Sequence, residues 1–373
     1  MELRPLDLGE IFGRAATLYA RYVPTFALVA FAVTLPLSVS QYLLDQIVQP
    51  QLQVLIQAFE RAPVRAGALP PNVLLSPSLF GAEALSGLLA YAGGTIAFSA
   101  IAAGVLAAYR GERVTVAVCY GPVLRAWKRI AAIVGLGVLV LFAWDLLQTL
   151  LALVFIAATF GAVRAATTAV PLAGVLISIT MMLTFALLVA ILAFASFGVV
   201  FEGLPAVASL RTSFVRVFGR REVRRALLLS VGACVVMLAG SLCVNIVAVL
   251  GEHAAWGAVI TLPEALLRAV VAPFPASLLA AYYLDVRIRH EGYDVELVLD
   301  RVAAGDPADD GGYAPTAYLL GWERELIKRF LERRDGLDAT RRADLAARLA
   351  GPARERVGPD LRRLDDESLL ERL

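Results

Sequence analysis

Six apolar runs decide what this chain can fold into. They are roughly Val23–Leu44, Ala82–Ala108, Ile130–Phe155, Val170–Phe201, Ala226–Leu250 and Ala258–Tyr283. About 20 mostly apolar residues suffice for a helix to cross the hydrocarbon layer of a bilayer. In lipid, only segments that satisfy their own backbone hydrogen bonds persist. The sequence therefore predicts an all-α, polytopic membrane protein of about six transmembrane helices. The run ending at Phe201 is long enough to tilt or to project beyond the bilayer. Between the first two runs, Asp45 to Leu79 carries Pro63, Pro70, Pro71 and Pro77 and reads as an outer loop, helical at most near Gln51–Phe59.

Composition agrees, with 59% hydrophobic and 18% charged residues and a mean hydropathy of +0.72. Soluble domains carry about 25% charged residues. A formal charge of +2 is too small to argue for nucleic acid by itself, and the placement of the charge says more. One side of the spans collects Arg4, Arg14, Arg21, Arg110, Arg113, Arg125, Lys128, Arg129, Arg211, Arg216, Arg220, Arg221, Arg224 and Arg225. The other collects Arg61, Arg65 and Arg164. Fourteen against three, the tail excluded, puts both termini in the cytoplasm of a bacterial cell, with the spans in the cytoplasmic membrane. Glu2, Asp7 and Glu10 precede the first run, so the N-terminal segment reads as retained and not as a cleavable signal.

The three cysteines (Cys119, Cys234, Cys243) show neither pairing nor metal spacing and read as small apolar fillers. With His253 and His290 the only histidines, no catalytic, metal or cofactor site is expected.

A basic, amphipathic segment precedes each odd-numbered span. The first sets Leu8, Ile11, Phe12, Ala15, Leu18, Tyr19 and Tyr22 at helical spacing. The second does so with Val116, Tyr120, Val123, Leu124 and Trp127, the third with Val207, Leu210, Phe214 and Val217. The unit is an interfacial helix followed by two spans, repeated three times, or simply the common character of cytoplasmic loops. Arg14, Arg21, Arg125, Lys128, Arg129, Arg211, Arg216, Arg220 and Arg221 are placed to meet anionic headgroups, at about 1 kcal/mol each.

Three stretches carry a family likeness: 4–14 (RPLDLGEIFGR), 202–213 (EGLPAVASLRTS) and 282–294 (YYLDVRIRHEGYD). Over about residues 1–297 the chain resembles uncharacterised bacterial membrane proteins grouped with the membrane domain of glycerophosphoryl diester phosphodiesterases. In fused members of that family the hydrolytic chemistry belongs to a separate barrel domain, so the resemblance carries over no catalytic residue. The tail is similar to the C-terminal extension of some RDD-type membrane proteins at 330–338 (FLERRDGLD), 341–349 (RRADLAARL) and 365–373 (DDESLLERL). That likeness implies a portable cytoplasmic module and no activity.

Ionisable residues inside spans are costly and mark candidate sites. Asp145 is fifteen residues past Ile130, and Arg268 fifteen before Tyr283. At about 1.5 Å per residue both lie ~22 Å from the cytoplasmic boundary. Equal depth predicts an Asp145–Arg268 ion pair, which either clips two helices or serves a passage; alternatively Arg268 snorkels outward. Glu83, Gln148, Asn245, His253 and Glu264 lie further out, as a polar vestibule or as ordinary interfacial residues. Gly93-Gly94 and Gly135-x-Gly137 should allow close helix packing, and Pro273 and Pro275 should kink the sixth span.

The segment 285–292 reads as a helical continuation along the headgroups, and 298–315 as an acidic Gly/Pro linker. Residues 316–373 form a tail module. It has one helix near Thr316–Arg334 striped by Leu319, Trp322, Leu326, Ile327 and Phe330. A second is capped by Asp338 and stopped by Gly351-Pro352, and a third lies around Leu361–Leu370. From Leu284 onward sixteen basic residues face twenty acidic ones, a mildly acidic balance that argues against a nucleic-acid partner. The functional expectation is a non-enzymatic scaffold or accessory protein whose tail docks on a partner or on the membrane domain. The alternative is a transporter or channel for a small or lipidic solute.

Overall fold

Pro24 bends the first helix. Helix α1, Leu8–Arg61, is continuous except at Tyr22, where the backbone leaves the helical region (φ −118°, ψ 18°). A proline two residues on cannot donate its hydrogen bond and crowds the preceding turn. The bend separates the amphipathic stub from the first span. The computed structural model describes residues 5–61, 77–162, 169–219, 222–253, 261–303, 321–357 and 359–373, and among these all regular structure is helical.

The next helices are α2 (Pro77–Arg110), α3 (Val116–Arg125), α4 (Trp127–Ala162), α5 (Ala169–Glu202), α6 (Ala206–Phe218) and α7 (Val223–His253). They are followed by α8 (Thr261–Val271), α9 (Pro273–Glu291) and α10 (Tyr293–Ala303). Last come α11 (Gly321–Arg333), α12 (Ala339–Arg356), α13 (Pro359–Arg362) and α14 (Asp366–Arg372). Among the described residues six segments are long and apolar enough to cross a membrane, in α1, α2, α4, α5, α7 and the α8–α9 pair. The chain is an all-α multi-pass membrane protein. The sixth crossing is broken at Ala272, because Pro273 and Pro275 supply no N–H to the turn before them. Beside that break the Tyr19 hydroxyl donates to the Val270 carbonyl at 2.7 Å, and its ring meets Phe274 edge-on.

The chain divides into two compact units, residues 12–280 and residues 1–11 with 281–373. In the first, small residues set the spacing. A Cβ on Gly93 would stand 2.5 Å from Leu37 Cδ1, and one on Gly240 would run into Val271. Tyr91 closes on Gly137 in the same way, whereas Gly94 and Gly135 face open space. Helix α3 lies against α2 through fully buried Cys119, whose Sγ sits 2.7 Å from where a Gly104 Cβ would be. Burial pushes this thiol up to about 11.

Helix α6 turns the expected way in length but not in face. Its serines point inward: Ser209 Oγ donates to the Ala195 carbonyl at 2.6 Å, and Ser213 Oγ to the Ser209 carbonyl. Val217 is buried with them, while Val207 and Phe214, expected on the same stripe, are exposed. Small hydroxyl residues let the two helices approach, and backbone carbonyls satisfy them. Gly203 (φ +65°) makes the turn from α5.

The second unit is built on buried charge. Asp285 accepts from the Leu6 amide at 2.7 Å and from Arg289 Nε at 2.8 Å, and Arg289 also donates to the Leu6 carbonyl. Arg287 pairs with Glu291 and stacks on the Tyr293 ring, 3.9 Å from its centroid. Asp285 and Arg287 are nearly solvent-free and Arg289 and Glu291 partly exposed, and the stretch satisfies these charges internally. Gly292 (φ +63°) ends α9, and a Cβ there would strike Leu345. Helix α10 occupies 293–303, which overlaps the start of the expected linker; 304–315 lies outside the described residues.

The tail helices share one core. Leu326, Ile327 and Phe330 of α11 pack with Leu345 and Leu349 of α12, with Val357 just past its end, with Leu369 and Leu370 of α14, and with Val295 of α10. Helix α12 passes through Gly351-Pro352 instead of stopping there, because Ala353 and Val357 belong to that core. Asp365 caps α14, accepting from the Ser368 amide. Side chains of Leu319 and Trp322 lie outside the described residues.

Phe330→Ala should cost about 3–5 kcal/mol, seen as faster amide exchange across α11 and α12 in the full chain. Burial also raises the Asp294 carboxyl above its ordinary 3.8 although Arg333 pairs with it at 2.8 Å. Just above the ordinary value the folded unit holds a proton that the unfolded chain has released, so stability falls as pH rises through that window. Asp294→Asn should abolish this decline, measured as protection factors of α10 amides across the acidic range.

Candidate functional site

A cavity of about 430 Å³ lies among α1, α2, α7 and α8. That is within the size range of small-molecule pockets, roughly 300–1,000 Å³. Its walls are mostly apolar: Val33 and Leu37, Ala97 and Phe98, Met237 and Val244, Val271 and Ala272. Polar groups gather at one end. Arg268 Nη1 donates to Gln41 Oε1 at 2.7 Å, and Ser241 and Asn245 line the same space. Thr34, also on the wall, spends its hydroxyl on the Ala265 carbonyl at 3.2 Å. No Asp, Glu, His or Cys stands among the described lining residues.

Sequence spacing explains the hollow. Gly93 brings α2 against α1, and Gly240 brings α7 against α8, each with no room for a Cβ. Gly94, one residue on, points a quarter-turn away into the cavity, where a Cβ would meet nothing within 4 Å. A second, more apolar cavity of about 250 Å³ shares Ala90, Gly94, Phe98 and Met237 with the first. Its far wall is Leu141 of α4 with Phe185, Val189 and Leu192 of α5.

The structure does not form the expected Asp145–Arg268 ion pair. Arg268 turns to Gln41, and Asp145 is exposed on α4 among Phe142, Leu146 and Leu147. Depth along two helices can match while their azimuths differ. The inward face of α4 is set by Ile130, Ile133 and Gly137, and Asp145 is off that face. Of the expected outer polar cluster, Asn245 alone among the residues with described side chains lines the cavity with Arg268. Gln148 lines a separate groove between α4 and α5. Glu264 is half-buried one turn before Arg268. Glu83 and His253 stand in α2 and α7, and their side chains lie outside the described residues.

The basic residues expected at headgroups divide in two. Arg216 is held by Glu202 at 2.8 and 3.0 Å, and Arg129 donates to the Gly203 carbonyl at 2.6 Å, so both brace the α5–α6 turn. Arg125 bonds the Gly121 carbonyl within its own helix. Arg14 lies over the Tyr109 ring, Arg21 over Tyr22 and Lys128 over Trp127. Arg211 is exposed, while Arg220 and Arg221 lie outside the described residues. Among the described residues no three His, Cys, Asp or Glu side chains gather to hold a metal ion.

No family model matches the chain, and neither a curated protein nor a solved structure matches it.

The residue that spacing overlooked is Gln41. Its signal is a lone amide inside the first apolar run, uncharged and so absent from any inventory of ionisable groups. Gln41→Leu should leave Arg268 without its acceptor and lower stability by roughly 1.5–3 kcal/mol, read as a lower Tm of the solubilised chain. Gly93→Leu should destabilise more, by forcing α1 from α2.

Proposed function

We propose that the chain is a binding or carrier protein of the bacterial cytoplasmic membrane, both termini cytoplasmic, that holds a lipidic solute among its helices. The observation that carries this reading is the hollow beside Gly94. Membrane helices gain little from packing unless their side chains meet closely, and here closely packed glycines flank a space large enough for a ligand. The apolar walls suit a hydrocarbon chain, and the polar end suits a head that prefers water. The described lining offers no paired acids and no nucleophile with a base, which favours binding over hydrolysis.

The excess of arginine and lysine on one side supports the orientation. The likeness of residues 1–297 to the membrane domains that accompany some phosphodiesterases is kept as a likeness of that domain alone. A scaffold recruiting its partner through the tail is the weaker reading, because Leu326, Ile327 and Phe330 are already covered by the tail's own helices.

The full chain, extracted from membranes into nanodiscs and released in a mass spectrometer, should retain an amphiphile. Gly94→Leu, which puts a side chain into the cavity without touching backbone, should lose it. Equal lipid retention by the two proteins would sink the reading. A reporter fused after Leu373 should also be active only as a cytoplasmic enzyme.

A further inference from the structure

Arg268 is a cation in a segment apolar enough to cross the membrane, and the side chain it donates to is neutral. It lies seven residues into α8, or about 10 Å along the helix from Thr261, and is half-buried. Its hydrogen-bonded partner is the neutral Gln41, and among the described residues no carboxylate pairs with it. An unpaired charge at such a position costs at least a few kcal/mol, and a neutral amide offsets only part of that. Among the described residues, negative charge is what this end of the cavity lacks.

We propose that the solute is an anionic amphiphile whose oxyanion head, a carboxylate or a phosphate, is gripped by Arg268 while its hydrocarbon chain fills the space along Phe98 and Met237. The inference rests on the binding reading above and adds the ligand's class. Three features fit it. A guanidinium presents five N–H donors in a planar fork that matches carboxylate and phosphate oxygens. Gln41 engages one donor through Nη1 and so fixes the fork at the polar end of the cavity, leaving further donors for a head. From that end the apolar walls continue past Gly94 toward the second cavity, which shares Ala90 and Phe98 of α2 and Met237 of α7 with the first.

A small free anion fits less well. It would lose its hydration at Arg268 and leave the apolar space beside it unfilled. An uncharged amphiphile would fill the space and leave the cation unanswered. Only a molecule with both parts satisfies both ends of the cavity, and Ser241 and Asn245 stand beside the head to complete its hydrogen bonds.

The test uses the full chain in nanodiscs of zwitterionic lipid and five probes: dodecanoate, dodecyl phosphate, dodecanol, acetate and inorganic phosphate. Wild type should bind dodecanoate and dodecyl phosphate about tenfold or more tighter than dodecanol, the worth of one charge-assisted hydrogen bond. Acetate and inorganic phosphate should compete with neither. R268Q should erase the preference for the anionic heads while keeping dodecanol binding, R268K should keep a reduced preference, and G94L should lose all three chains. If wild type binds dodecanol as tightly as dodecanoate, the anionic head is refuted and the binding reading stands. If acetate or phosphate displaces dodecanoate, the site is one for small anions and the amphiphile is refuted. R268Q retaining the preference at wild-type Tm would refute Arg268 as the recognition group. No binding of any chain would overturn the binding reading itself.

Discussion

Close approach of helices through glycine and serine is the constraint on which the membrane unit depends. Inside a bilayer, apolar side chains gain nothing by leaving lipid for a neighbouring helix, so association rests on dense contact. Gly93 against Leu37, Gly240 against Val271, Gly104 against Cys119 and the inward serines of α6 supply it. The same contacts fix where density stops. The cavity is the remainder left when α1 meets α2 and α7 meets α8 at points that do not coincide, and its position is as determinate as the contacts that bound it.

Charge is treated in two ways. Near the span ends it is consumed locally: Arg216 on Glu202 and Arg129 on the Gly203 carbonyl lock the turn out of α5. In the unit containing the tail, Asp285 with Arg289 and Arg287 with Glu291 form two pairs, each one turn apart on one helix, with Asp285 and Arg287 fully buried. Removing any one of such a set would leave a buried charge unanswered, which costs more than the pair itself contributes. Arg268 departs from both patterns, and that departure is what sets it apart.

Much of the architecture was legible in sequence because it is a matter of length and hydropathy. The six crossings, the break at Pro273 and the short helices before α4 and α7 all follow from runs, prolines and periodicity. What was not legible is azimuth. Asp145 and Arg268 agree in depth, but the direction each side chain faces depends on which residues its helix buries, and that follows from tertiary contacts such as Gly137 with Tyr91. The face of α6 was misread for a related reason. Periodicity ranks Val207 and Phe214 as the inward stripe, yet where lipid is the solvent an apolar stripe is as well placed outside as in. Gln41 is singled out only by the tertiary contact that brings α8 to α1, and Gly351-Pro352 failed to end α12 because a packed core on both sides outweighs a local breaker.

The bond between the Leu6 amide and Asp285 joins groups 279 positions apart in the chain. At the usual pace of synthesis, about 5–20 residues per second, the first residues wait tens of seconds for their partner. The spans between them are made and can be inserted during that wait. Asp285 and Arg289 thus act as a clasp for the first residues that can close only once the sixth crossing has been synthesised, while the tail helices of the same unit are still to come.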